Sequence, residues 1–222
     1  MDLNFFSGIP WADVGEASLD TLLMLGISMF FTLLFGLPLG VLLFLTGKRQ
    51  LLEQMVFYNA LSFSVNILRS TPFIILLIVM MPLTEIVAGT SLGVAGSIPP
   101  LVVGATPFFA RLAETALREV DRGIVEAMQA MGASTRQIVL NALIPEALPG
   151  IVAAATVTAI ALVSYTAMSG IVGGGGLGDL AIRYGYHRYQ NDVMAVTVVF
   201  LLLLVQALQM FGDKLVLRFT RR

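Results

Sequence analysis

Few side chains in this sequence of 222 residues are equipped for covalent chemistry. There is one histidine, His187, and no cysteine. Disulfides, thiolate nucleophiles and thiolate metal sites are thereby excluded. His187 stands among Tyr184, Tyr186 and Tyr189 without a cluster of acids, and one imidazole cannot complete a metal site. The residue types therefore predict neither a metal nor a catalytic group. A proton relay would need a ladder of embedded carboxylates, whereas Glu85 and Glu114 stand singly near the ends of apolar stretches. Phosphate chemistry is missing as well. A Walker loop needs G-x-x-x-x-G-K-[ST], so that backbone amides and a lysine cradle the phosphates. Gly47-Lys48-Arg49 lacks the hydroxyl residue and the upstream glycine, and the run from Gly173 to Gly178 lacks a lysine. The chain is predicted to hold no cofactor of its own. A net charge of −1 gives no basic excess for nucleic acid.

One polar segment, residues 121–145, carries a different kind of chemistry, that of a docking piece. Asp121 is a good N-cap. Ile124, Met128 and Met131 follow on one face at i, i+4, i+7. Gly132 occupies the place of a left-handed residue closing the helix. Ser134 and Gln137 have the spacing of a capping box that opens a second helix, which Pro145 is predicted to end. The pattern predicts a helix–glycine–helix elbow presenting Ala127, Ala130, Met131 and Ala133. Small apolar residues within a polar rim suit a partner surface, and packing beneath a bundle is the alternative. Glu126 has three readings: a cap, a pairing partner for a basic surface, or a solvated helix residue.

The elements around this segment are set by solvent. Hydrophobic residues make up 57% and charged residues 12% of the chain, and the mean hydropathy is +0.89. Soluble domains carry about 25% charged residues, so lipid must solvate much of this surface. Crossing a bilayer takes roughly 20 apolar residues of helix. Charge-free runs cover Thr21 to Gly47, Ala147 to Gly178 (its glycine-rich tail outside the helix) and Val193 to Gly212. From Gln54 to Ala110 only Arg69 and Glu85 are charged. The turn-rich stretch from Gly89 to Pro100 divides this region into helices near 53–87 and 98–118. The expectation is an all-α membrane protein with five spans. Leu51 to Leu68 also suits an amphipathic segment at the membrane surface, with Pro72 breaking the helix after Arg69, because a residue before proline avoids the α region. Arg69 then either snorkels at the cytoplasmic interface or pairs inside the bundle, whereas an arginine at mid-bilayer would point to function. Gly36-x-x-x-Gly40 permits close helix approach, and Pro38 between the glycines predicts a kink.

Charge asymmetry predicts orientation. Lys48, Arg49, Arg118, Arg122, Arg136, Lys214, Arg218, Arg221 and Arg222 fall on one side, assigned to the cytoplasm. Asp2, Asp13, Glu16, Asp20, Asp179 and Asp192 fall on the other, with Arg183 and Arg188. The N-terminus is thus expected outside and the C-terminus inside. No basic region precedes the first apolar stretch, so a cleaved signal peptide is not expected. The organisation expected is an external tail over 1–18, one transmembrane domain over 19–218 and a cytoplasmic tail over 219–222. In the outer half of the fourth span, Ser164, Tyr165, Thr166, Met168 and Ser169 either bond locally or line a pathway. The glycine run after them is either a sharply turning backbone that reaches a partner or seals an outer gate, or a flexible external loop.

Glu126-Ala127, Gly132 and Ile144-Pro145 resemble the EAA loop of ABC importer permeases, with Met128 in place of the second alanine and Ala142-Leu143-Ile144 in looser order than Ile-x-Leu. The stretches from Arg69 to Leu77, Ile144 to Gly150, Gly170 to Asp179 and Ala181 to Tyr186 resemble the methionine-uptake permeases of that class. The resemblance runs from about Leu19 to the end. It implies a multi-pass subunit of the bacterial inner membrane, paired with a second copy and lying above two cytoplasmic ATPase subunits that hold ATP and magnesium. It also implies an extracytoplasmic binding protein that delivers the cargo, most closely methionine. The coupling surface it implies comprises Glu126, Ala127, Met128, Ala130, Met131, Gly132, Ala133 and Ser134. The pathway candidates are Tyr165, Met168, Ser164, Ser169 and Arg69. The rival cargoes are another amino acid or a small osmolyte. An ion-coupled secondary transporter would need buried charges and inverted repeats, and an intramembrane enzyme would need a nucleophile with its base. The sequence supplies neither.

Overall fold

The computed structural model describes residues 9–220, so the assignments made to Asp2, Arg221 and Arg222 lie outside the described residues. Helix α1 spans Trp11–Thr46 and begins ten residues before the charge-free run does. Its first turns are helical because Val14, Ala17 and Thr21 form a buried stripe, and this stripe packs with Leu177, Leu180, Val193 and Val196. Asp13 is used there, accepting a hydrogen bond from the Tyr184 hydroxyl at 2.8 Å. The helix runs unbroken through Pro38.

The single helix expected near 53–87 is two helices. α2 covers Met55–Ser70 and α3 covers Phe73–Ala88, and they meet at 106°. The break follows from Pro72. Thr71 is extended at φ −76°, ψ 124°, as the residue before a proline prefers. The turn before α4 is also shorter than expected. Gly89 is left-handed at φ 74°, and α4 spans Gly93–Arg118 with Pro99, Pro100 and Pro107 inside it. Its start is anchored by the Gly93 amide, which donates to the Gly173 carbonyl at 2.9 Å.

Helix α5 covers Arg122–Ala130 and α6 covers Thr135–Ile138. Pro145 does not end the second elbow helix. The chain passes from α6 through one wide turn, Val139–Leu143, into α7, Ile144–Ser169. In that turn the Ile144 amide reaches back five residues to the Val139 carbonyl. Such π-type turns widen the backbone, and Pro145 enters in the first turn of α7, where its missing N–H does least harm. α8, Gly176–Leu180, continues through a similar wide turn to Tyr186, and α9 covers Asn191–Phe219.

Among the described residues, four helical stretches are long and apolar enough to cross a membrane, and a fifth crossing results if the bent α2–α3 pair counts as one. α4 is central, packing against α1, α2, α3 and α7. Gly36 and Gly40 serve this packing. An added Cβ would lie 2.7 Å from Phe109 Cδ1 at the first and 2.7 Å from the Ala110 carbonyl at the second. The small-residue spacing of α1 is thus consumed within the chain.

Candidate functional site: an exposed elbow, a small pocket and a buried carboxylate

The elbow is built from local hydrogen bonds. Asp121 Oδ1 accepts from the Gly123 amide at 2.6 Å and opens α5. The helix closes when the Gly132 amide donates to the Gln129 carbonyl at 2.9 Å and the Ala133 amide to the Met128 carbonyl at 3.0 Å. These are the two bonds of a Schellman closure, and it places its C′ residue in the left-handed region. Gly132 has φ 78°, and nothing lies within 4 Å of an added Cβ. The capping box at α6 is complete. The Ser134 amide donates to Gln137 Oε1 at 2.8 Å, and the Gln137 amide donates to Ser134 Oγ at 3.4 Å.

No residue of α5 is buried. Glu126, Ala127, Ala130, Gly132 and Ser134 are exposed, and Met131 is 73% exposed. Met128 and Ala133 turn inward and pack, with Val125, against a core that includes Leu117, Ile138 and Leu143. The expected face of Ile124, Met128 and Met131 is therefore incomplete. α5 ends at Ala130, and Met131 at φ −79°, ψ 0° has left the helical register, so its side chain points away from the bundle. Glu126 has no ion-pair partner among the described residues.

A second constellation forms where α2 breaks from α3. The Tyr165 ring stacks on Phe73 with centroids 4.5 Å apart and planes 6° from parallel. The Arg69 guanidinium lies 5.9 Å from the Phe108 ring centroid, and Arg69, Phe73, Gly104, Phe108 and Tyr165 line one small pocket. The fold thus brings Arg69 and Tyr165 together across 96 positions of sequence. Ser164 and Met168 are exposed four residues apart on α7, a spacing that puts them on one helix face. Ser169 stands apart from them. It is fully buried and donates its hydroxyl to the Thr166 carbonyl at 2.7 Å.

The glycine run beyond α7 is a packed turn, not a loose loop. Gly173, Gly175 and Gly176 all have φ 77°. The Gly174 amide donates to the Ser169 carbonyl at 2.9 Å, the Ser97 hydroxyl donates to the Gly174 carbonyl at 3.3 Å, and the Leu177 amide donates to Thr21 Oγ1 at 2.9 Å. This turn ties α1, α4 and α7 together at the end of the bundle opposite the elbow.

Sequence reasoning missed the third feature. Glu114 is 2% exposed. Its carboxylate accepts from Arg111 Nη1 at 2.6 Å, from Arg118 Nη2 at 2.6 Å, and from the Tyr58 hydroxyl at 3.3 Å. Arg111 Nη2 continues the network to Ser62 at 2.6 Å and to Asn66 at 2.9 Å. These bonds fasten α2 to α4 just before the elbow. The spacing Arg111, Glu114, Arg118 at i, i+3, i+7 was the available signal, because such residues are neighbours on one helix face.

Residues 36–222 match the model of the family described as binding-protein-dependent transport system inner membrane component. The chain is 51% identical over 206 residues to a probable D-methionine transport system permease protein, MetI, of Vibrio cholerae, covering 93% of this chain and 92% of that one. It is 44% identical over 210 residues to the methionine import system permease protein MetP of Bacillus subtilis, covering 95% of each. A solved structure of inward-facing conformations of the MetNI methionine ABC transporter superposes with a TM-score of 0.94 at 47% identity, covering 95% of this chain and 98% of that one. With five-sixths of its length matched by the family model, and with the elbow and helical bundle described above, the chain belongs to the family of binding-protein-dependent transport system inner membrane components.

Proposed function

We propose that two copies of this chain enclose a path for methionine across the bacterial inner membrane, driven by ATP hydrolysis on two separate subunits docked at the elbow. The chain is a permease subunit, and ATP with its magnesium belongs to the partner. The observation that carries the reading is the elbow itself. It is a stiff, doubly capped and exposed piece on a polypeptide without a phosphate loop. Glu126, Ala127, Ala130, Met131, Gly132 and Ser134 supply its outward surface, and Met128 and Ala133 hold it to the bundle.

On this reading residues 121–145 face the cytoplasm, the N-terminus is outside and the C-terminus inside, with five crossings that count α2–α3 as one bent span. Residues 1–18 belong to the outer side, 19–218 to the transmembrane domain and 219–222 to the cytoplasmic tail. An extracytoplasmic binding protein delivers the cargo near the glycine turn. Tyr165, Met168, Ser164 and Arg69 line the path, and Ser169 braces the turn beside it. The resemblance of this chain to the MetI and MetP relatives supports the cargo.

The test is reconstitution of the chain with its ATPase subunits and binding protein in liposomes. Methionine uptake should require ATP, and Glu126→Lys or Gly132→Leu should abolish uptake while the spans remain folded. Uptake by the permease alone, or full coupling in both variants, overturns the reading. Stimulation of ATP hydrolysis by a binding protein loaded with another amino acid, and not with methionine, overturns the cargo alone.

A further inference from the structure

Three arginines converge on a cavity of about 310 Å³ at the elbow end of the bundle, between the loop after α1 and the start of α5. Arg49 and Arg122 line it with Arg118, and Glu126 is the one carboxylate among the lining residues. Arg118 is aimed by its bonds to the buried Glu114. Arg49 and Arg122 make no ion pair among the described residues, and Arg118 shares Glu114 with Arg111, so the arginines at and behind the cavity outnumber the carboxylates Glu53, Glu114 and Glu126.

The position of Arg49 is built. It is held at φ 61°, a region that a side chain other than glycine adopts only when its surroundings over-determine it. The surroundings do so here. The Leu52 amide donates to the Leu45 carbonyl at 3.0 Å and the Gln54 amide to the Thr46 carbonyl at 3.1 Å. The Arg49 amide itself donates to the Glu53 carboxylate at 2.9 Å.

The rest of the cavity is apolar, with Phe44, Leu51 and Leu143 among its walls. Arg49 lies three residues past the end of α1, and Arg122 lies four past the end of α4. Arg49 stands two residues beyond the charge-free run that ends at Gly47, about where lipid headgroups begin, and the fold brings Arg122 beside it across the cavity. Outside the cavity, Leu52, Met55 and Val56 are exposed, and they give the neighbouring surface a face suited to acyl chains. Planar guanidinium groups match the oxyanions of a phosphate, and basic pockets between membrane helices bind anionic headgroups.

We propose that this cavity binds the phosphate of an anionic phospholipid from the leaflet at the elbow end. The lipid bridges the α1–α2 loop and the elbow, and its site is independent of the transported cargo.

The complex of this chain with its ATPase subunits is delipidated in detergent and titrated with phosphatidylglycerol or phosphatidylcholine, and bound lipid is counted by native mass spectrometry. Phosphatidylglycerol should bind preferentially. Arg49→Gln with Arg122→Gln should weaken it on the order of 30-fold, as expected for the loss of two arginines at a membrane surface. Phosphatidylcholine binding should not change. The lysine pair at the same positions should retain preferential binding, and Arg136→Gln, away from the cavity, should behave as the parent. If the glutamine pair fails to fold, the preference of the parent for phosphatidylglycerol over phosphatidylcholine still decides. Equal binding of the two lipids overturns the proposal, as does undiminished phosphatidylglycerol binding in the glutamine pair. Displacement of the lipid by millimolar inorganic phosphate assigns the cavity to a free anion and overturns the lipid. Loss of the ATPase subunits from the glutamine pair, with lipid binding unchanged, assigns it to an acidic side chain of the partner and does the same.

Discussion

Glu114 and Gly132 exert opposite kinds of control at the residue scale. Glu114 is buried and held by partners from two helices, so removing its charge leaves Arg111 and Arg118, which are 20% and 38% exposed, as neighbouring like charges only partly screened by water. Losing hydrogen bonds to a charged group costs about 1.5–3 kcal/mol. Glu114→Ala should therefore lower the thermal midpoint of the purified complex clearly, and Tyr58→Phe, which loses only a 3.3 Å hydroxyl contact, should lower it little. An equal effect of the two would show that the network is not centred on the carboxylate. Gly132 is controlled by backbone conformation alone, since its Cβ position is open. Gly132→Ala should cost about 1 kcal/mol, the penalty of a left-handed L-residue. Hydrogen exchange at the amides of 131–133 should then rise while the spans keep their protection. Unchanged exchange would mean that the closure does not hold the elbow.

The elements act through close approach and through breaks. α1 and α4 meet at Gly36 and Gly40 with backbone and side-chain atoms too near for any added carbon. Gly40→Val should force the helices apart, and it should reduce the yield of folded complex far more than Gly26→Val, whose position is open. Comparable yields for the two would rule out a tight α1–α4 contact in the membrane. The bend between α2 and α3 is the other element-scale device. It was legible only as one of two options, because Pro72 predicts that a helix stops but not the direction the next one takes. The 106° angle arises because α2 is fastened to α4 by the Arg111–Glu114 network while α3 packs on α4 and α7.

Orientation is the prediction that belongs to the whole molecule. The absence of cysteine makes single-cysteine labelling clean. A membrane-impermeant maleimide applied to right-side-out vesicles should label Arg188→Cys and leave Ala127→Cys unlabelled until the membrane is opened. The reverse pattern would invert the topology and remove the elbow from any ATPase in the cytoplasm.

Composition by itself determined that lipid solvates this chain, because so few charges cannot cover a surface in water. Local pattern determined the elbow, down to Asp121, Gly132 and the Ser134–Gln137 box, because caps and closures are made among residues a few positions apart. Pro145 misled because the wide Val139–Leu143 turn places it in the first turn of α7, where a proline needs no N–H partner. Tertiary structure alone decided that Met128 and Ala133 turn inward while Met131 turns out, that Arg69 and Tyr165 share a pocket, that Ser169 is buried, and that Glu114 is the hub of a network. Each of these depends on partners supplied from distant parts of the chain, and only the packed bundle brings them within reach.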